Sequence, residues 1–300
     1  MSPNTPWASS TPSCGADSGN PDVPTEPQEH VPNNKSDQWA GLFGEGGYLW
    51  GDIDTAKAVW PLAMWCFLTG YMDIVAFSAI FVWCAFQTGN TAQLALALAR
   101  LWEIPGDTVF RTADQQALCS LLSFLGGSFV GRLGDRMGSN TRMWLFTGTM
   151  IQAFFTMAAA VAISQSGQGS VAPNRSSPAW TNAITFVCLG FMSASMGLQG
   201  IMGKRINSQF ATTVVLTSVW CELVADPKLL NLRKGIISRD YKILAIFALF
   251  LGAFLGRAIL AEIGSAGALG VATGIRVLLA FGWLFVPSKN ARVESRAGPV

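Results

Sequence analysis

Read for apolar and polar positions, the chain opens with 57 mostly polar residues and then enters apolar runs too long and unbroken for strands. A bilayer crossing needs about 20 mainly apolar residues. Six runs meet or approach that length: 62–84, 116–134, 143–163, 180–201, 242–262 and 266–286. Two shorter, moderately apolar stretches, 85–100 and 208–224, follow the first and fourth runs, each with Thr near its start. The pattern predicts an all-α, polytopic membrane helix bundle of about six spans with two broken or re-entrant segments. Broken backbone at membrane depth is tolerated only where protein buries it or where it lines a cavity. The alternative for both short stretches is an amphipathic connector lying in the interface.

The polar parts set the domain plan. Residues 1–57, rich in Pro, Ser, Asn and acid, hold no long apolar run and predict a disordered cytoplasmic tail. They lack a basic start followed by an apolar segment, so no cleavable signal peptide is expected there, and the only histidine, His30, falls among them. A transmembrane domain over 58–288 and a short cytoplasmic tail over 289–300 complete the plan. Basic residues gather after the second run (Arg132, Arg136, Arg142), after the fourth (Lys204, Arg205, Lys228, Arg233, Lys234, Arg239, Lys242) and at the C-terminus (Lys289, Arg292, Arg296). With six spans, the positive-inside rule puts all three clusters and both termini in the cytoplasm.

Composition narrows the function classes. Half of the chain is hydrophobic and only 13% is charged, which fits an integral membrane protein in a lipid bilayer, the membrane itself being unspecified. A net charge of +2, gathered in loops, offers no nucleic-acid face. Six cysteines without regular spacing read as packing residues, so neither a zinc site nor any other metal or cofactor is expected. The spans contain no histidine, no second aspartate for a dyad and no metal-ligand cluster, so no catalytic residue is assigned and an enzyme is not expected.

The halves recur. Gly127-x-x-x-Gly131-Arg132 returns as Gly252-x-x-x-Gly256-Arg257, and Thr147-Gly148 as Thr273-Gly274. The Thr-rich segment 88–91 stands opposite 212–217. The offset is about 125 residues, which divides the domain into repeat one, 58–163, and repeat two, 180–286. Three spans per half make the second copy enter from the opposite side, an inverted 3+3 repeat of the kind that transporters use.

Polar residues within this greasy frame are the candidates for function. Asp73 lies inside the first run, where an ionised carboxylate costs about 2.5–3.5 kcal/mol to insert and therefore seeks a partner. Arg276, near the middle of the sixth run, is the expected partner; such a pair serves structure or substrate equally well. Thr88, Gly89, Asn90 and Thr91 offer hydroxyls, an amide and exposed backbone for a small polar solute or ion, with helix capping by Thr88 or Asn90 as the plain alternative. Gln199, Thr213 and Thr217 supply the matching side from the second half. Glycine pairs 127/131, 252/256 and 270/274, with Ser193 and Gly197, predict close helix approach and offer a route to a homo-oligomer.

The stretches "GYMDIVAF", "FQTGNTAQLALALA" and "GLQGIMGKRINSQFATTVVLTSVWCEL" together resemble the YoaK-like family of integral membrane proteins, a domain of unknown function, over about residues 59–286. The chain departs from that pattern at Gly200, where Asn is usual, and at Ser218, where Gly is usual. The resemblance implies a polytopic membrane protein and supplies no activity. The functional expectation is a small secondary transporter or permease for a small polar solute or ion; the alternative is a membrane scaffold or assembly protein that transports nothing.

Overall fold

The computed structural model describes residues 47–103, 109–174, 177–206, 213–214, 217–227, 229 and 237–289. The expectations for residues 1–46, including His30, and for 290–300 fall outside them. The described residues are all-α, with isolated bridges and no strand. Among the described residues, five helices are long and apolar enough to cross a membrane: α1 (Val59–Ile80), α3 (Thr112–Val130, continued by short turns to Met137), α4 (Arg142–Ser166), α5 (Ala183–Ile206) and α7 (Ile237–Leu284). Between them lie α2 (Gln87–Glu103) and the eight-residue α6 (Thr217–Val224).

The fifth and sixth predicted runs are the two helical limbs of α7, which meet at a break at Gly264. There φ is 70° and ψ 179°, a backbone state that glycine adopts without penalty. The two limbs run in opposite directions along α1. In the first, Gly252 crosses α1 at Phe67. In the second, Ala268 accepts a hydrogen bond from the Tyr71 hydroxyl, and Trp283 packs on Trp65 at 5.0 Å between ring centroids.

Capping residues fix where the other helices start. Thr141 Oγ1 accepts from the Trp144 N–H at the start of α4, and Asn182 Oδ1 accepts from the Thr185 N–H at the start of α5. Pro61 falls in the first turn of α1, where its missing N–H deprives no earlier carbonyl in the helix of a partner.

Polarity is distributed inside out relative to a water-soluble bundle. Phe129, Phe154, Phe250, Phe254 and Leu278 are exposed on the outer surface, while Gln152, Gln199, Ser193, Thr149 and Arg276 are buried. An apolar exterior over a hydrogen-bonded interior suits hydrocarbon as the solvent, and the five apolar helices are consistent with an integral membrane protein.

Two helix crossings bring backbones together. A methyl built on Gly252 would overlap the Phe67 carbonyl oxygen, and one on Gly70 the Leu249 carbonyl oxygen, where α1 meets the first limb of α7. Where α5 meets α3, methyls on Gly127 and Gly197 would strike the Ala194 and Phe124 carbonyls in the same way. Gly70 and Gly197 stand 127 residues apart; Gly127 and Gly252 stand 125 apart. The pair 270/274 departs from expectation, because a methyl on either residue meets nothing within 4 Å.

The polar segment expected to end at residue 57 joins the folded body earlier. Asp52 and Ile53 bridge to Thr141 and Ser288, and Ile53 is buried. Arg142 lies over the Tyr48 ring, 4.1 Å from its centroid, and donates to the Tyr48 and Val286 carbonyls. One buried isoleucine and an arginine that donates from all three guanidinium nitrogens therefore fasten this segment to the start of α4 and to the end of α7.

A candidate solute site at two chain breaks

The first span was expected to run to residue 84, but α1 ends at Ile80 and Phe81 takes a left-handed conformation (φ 58°). The following residues turn back into the bundle. Asp73 lies seven residues before Ile80, about 10 Å along the helix. Its Oδ1 accepts the backbone N–H groups of Cys84 and Ala85, both at 2.8 Å. The carboxylate thus satisfies donors that a broken backbone would otherwise leave unpaired in an apolar interior.

From this depth α2 starts and climbs back. Asn90 Nδ2 reaches the Trp83 carbonyl at 2.8 Å and Gln87 Oε1 at 2.9 Å. Gln87 Nε2 reaches the Cys84 carbonyl at 2.7 Å and Ser120 Oγ at 3.1 Å. Ser120 in turn sits 2.9 Å from Ser193, joining α3 to α5. At its far end α2 ion-pairs Arg100 with Asp114, in the first turn of α3. The segment therefore enters and leaves at one end of the bundle.

The second break meets the same face of α1 one turn before Asp73. Thr69 Oγ1 is 2.7 Å from the Thr213 carbonyl oxygen and accepts from Gln199 Nε2 at 2.9 Å; Gln199 also donates to the Trp65 carbonyl at 3.0 Å. From Thr217, α6 runs toward the opposite end of the bundle, where Glu222 pairs with Lys242 at 3.3 Å.

Between the breaks lies a cavity of about 250 Å³, lined by Asp73, Trp83, Phe86, Val214, Thr217 and Trp220. It gathers residues from the turn before α2 and from the start of α6 around one carboxylate. A larger cleft of about 830 Å³ lies between α2 and α3 toward the Arg100–Asp114 end.

The expected Asp73–Arg276 pair is not formed. Arg276 is fully buried; its NH1 donates to Gln152 Oε1 and, at 3.3 Å, to Gln199 Oε1. Two neutral amides share the guanidinium, while the chain break itself occupies the aspartate. Of the candidate residues, Asp73 and Thr217 line the cavity, and Gln199, Thr213 and Arg276 form the adjoining network. Asn90 is buried in the α2–α3 contact, Gly89 is half-buried, and Thr88 and Thr91 are exposed. Thr91 Oγ1 bonds back to the Gln87 carbonyl, as expected of a helix residue with no ligand to hold.

Sequence reasoning missed Gln152, Ser120, and the three aromatics Trp83, Phe86 and Trp220. Gln152 carried a readable signal. It interrupts an apolar run with Thr149 and Thr156 three and four residues away, on one helix face.

The model of the family described as protein of unknown function (DUF1275) matches residues 62–282, from the first turn of α1 to the last of α7, and so spans both breaks and the cavity. No curated protein and no solved structure matches the chain. Covering well over half of the sequence and agreeing with the YoaK-like resemblance, the match shows that this chain belongs to the DUF1275 family.

Proposed function

We propose that the protein is a small secondary transporter or permease for a small polar solute or ion, working without a catalytic step or cofactor. The observation that carries this reading is the meeting of two chain breaks at one cavity beside a buried carboxylate. Solute sites in transporters are commonly built where discontinuous helices meet near mid-membrane.

In this reading the limbs of α7 are two crossings, giving six spans in an inverted 3+3 repeat. The pseudo-equivalent crossings at Gly70–Leu249 and Gly197–Phe124 support the duplication, as do half-helices that leave the centre toward opposite ends. Lys57, Arg132, Arg136, Arg142, Lys204, Arg205, Arg239, Lys242 and Lys289 lie at the end where α1 and α4 begin, which favours that end as cytoplasmic. Both terminal tails then lie inside. Small-residue helix faces leave room for a homo-oligomer, and nucleic acid is no partner.

The test is flux. The purified chain is reconstituted into proteoliposomes and presented with amines, amino acids, carboxylates and inorganic ions, beside Asp73→Asn and Thr217→Val variants. At least one solute is expected to move, with the rate lowered at least tenfold in Asp73→Asn. A folded protein that moves none of them, or moves one equally well with both substitutions, overturns the proposal in favour of a membrane scaffold.

A further inference from the structure

The charge and shape of the cavity narrow what it can hold. Both hydrogen bonds to Asp73 fall on Oδ1, and Oδ2 accepts none from the described residues. Among the described residues, no lysine or arginine lines the cavity. Half-helix N-termini ordinarily attract anions, but here the N–H groups of Cys84 and Ala85, just before α2, are already turned onto the carboxylate. The anion position is filled by the protein's own Asp73, whose Oδ2 accepts nothing from the described residues and is the charged atom beside the space.

The remaining walls suit a cation with an apolar body. Trp83 and Phe86 meet nearly edge to face, with interplanar angle 88° and centroids 6.4 Å apart, and Phe77 stacks on Trp83 at 4.1 Å, holding the indole in place. Trp220 faces them from α6, and Thr217 adds a hydroxyl. Aromatic faces attract ammonium groups through the ring quadrupole, most strongly when water is excluded. A hydrated metal ion would gain little from three aromatics. A carboxylate or phosphate would meet Asp73 without a compensating cation.

We propose that this cavity is a binding site for a small organic ammonium ion, its charge held by Asp73 Oδ2 and its alkyl groups packed among Trp83, Phe86 and Trp220. At about 250 Å³ the space admits a cation on the scale of tetramethylammonium or choline. The inference rests on reading this cavity as the solute site, and it names the class of solute.

Equilibrium binding of radiolabelled choline to the detergent-solubilised full chain tests it. Saturable binding at millimolar concentration is expected, competed by tetramethylammonium and not by 3,3-dimethylbutan-1-ol, the neutral isostere of choline. Affinity should fall at least tenfold in Asp73→Asn, which keeps an Oδ1 acceptor for the two N–H groups. Trp220→Ala should lower it severalfold, and because Trp220 is 54% exposed this variant stays informative if Asp73→Asn fails to fold. Absence of saturable binding, equal competition by the neutral alcohol, or competition by benzoate in its place overturns the proposal. So does unchanged affinity in the folded variants. Ammonium binding without flux removes the transport reading and leaves the site; Asp73-dependent flux of an anion or neutral solute without ammonium binding does the reverse.

Discussion

Asp73 and Ala85 are joined across the first chain break by a 2.8 Å hydrogen bond from the Ala85 N–H to Oδ1, and the Cys84 N–H shares the same oxygen. The aspartate therefore has a structural duty separable from its charge. Asp73→Ala orphans two buried donors, each costing about 1–3 kcal/mol, whereas Asp73→Asn keeps an acceptor in place. Thermal unfolding in detergent should show a clear loss of stability for Asp73→Ala and a much smaller one for Asp73→Asn. Equal losses in the two variants would show that the carboxylate, and not the acceptor oxygen, holds the break.

The four glycines at the two crossings should behave alike. Gly70, Gly127, Gly197 and Gly252 each face a carbonyl of the neighbouring helix, so alanine at any of them forces the backbones apart at a cost of about 1–3 kcal/mol. Gly270→Ala and Gly274→Ala meet open space and should leave the melting temperature unchanged or slightly raised. A thermal-shift series over the six variants checks the division; a loss at Gly274 as large as that at Gly127 would contradict the packing.

How far the site could be read from the sequence depended on the kind of information each residue carries. Asp73 and Gln199 announce themselves because a polar group in an apolar run must find a partner, and the stretches 85–100 and 208–224 because each is shorter than a span. The partner itself is a matter of distance. Arg276 was the natural counter-charge for Asp73 by depth alone, yet the turn after Ile80 brings N–H groups to the carboxylate first. The aromatic walls were hidden for a different reason. Trp83, Phe86 and Trp220 look like ordinary membrane residues until the chain folds two distant turns onto one space.

Arg276 and Gln152 should couple. Both are buried, and the amide oxygen accepts from the guanidinium, so Gln152→Leu leaves a charge with a poorer set of acceptors. Arg276→Met removes that charge. The double variant should therefore be less destabilised than the sum of the single ones, with an interaction energy of about 0.5–3 kcal/mol. Chemical or thermal unfolding of the three variants closes the cycle. Strict additivity would mean that the two side chains do not act on one another.

The two half-helices should report to opposite faces of the membrane. Glu103 ends α2, one turn past the residue that pairs with Asp114, while the exposed Cys221 sits on α6 beside the Glu222 that pairs with Lys242. Those pairs belong to opposite ends of the bundle. In a chain whose other cysteines are replaced, native Cys221 should react with a membrane-impermeant maleimide from the face that carries the basic cluster. Glu103→Cys, in a Cys221→Ser background, should react from the other. If both sites label from one face, α2 and α6 do not leave the centre in opposite directions, and the inverted repeat is lost with them. If they label from opposite faces, the residues around Asp73 are reached from each side by one half-helix, as alternating access to a central site requires.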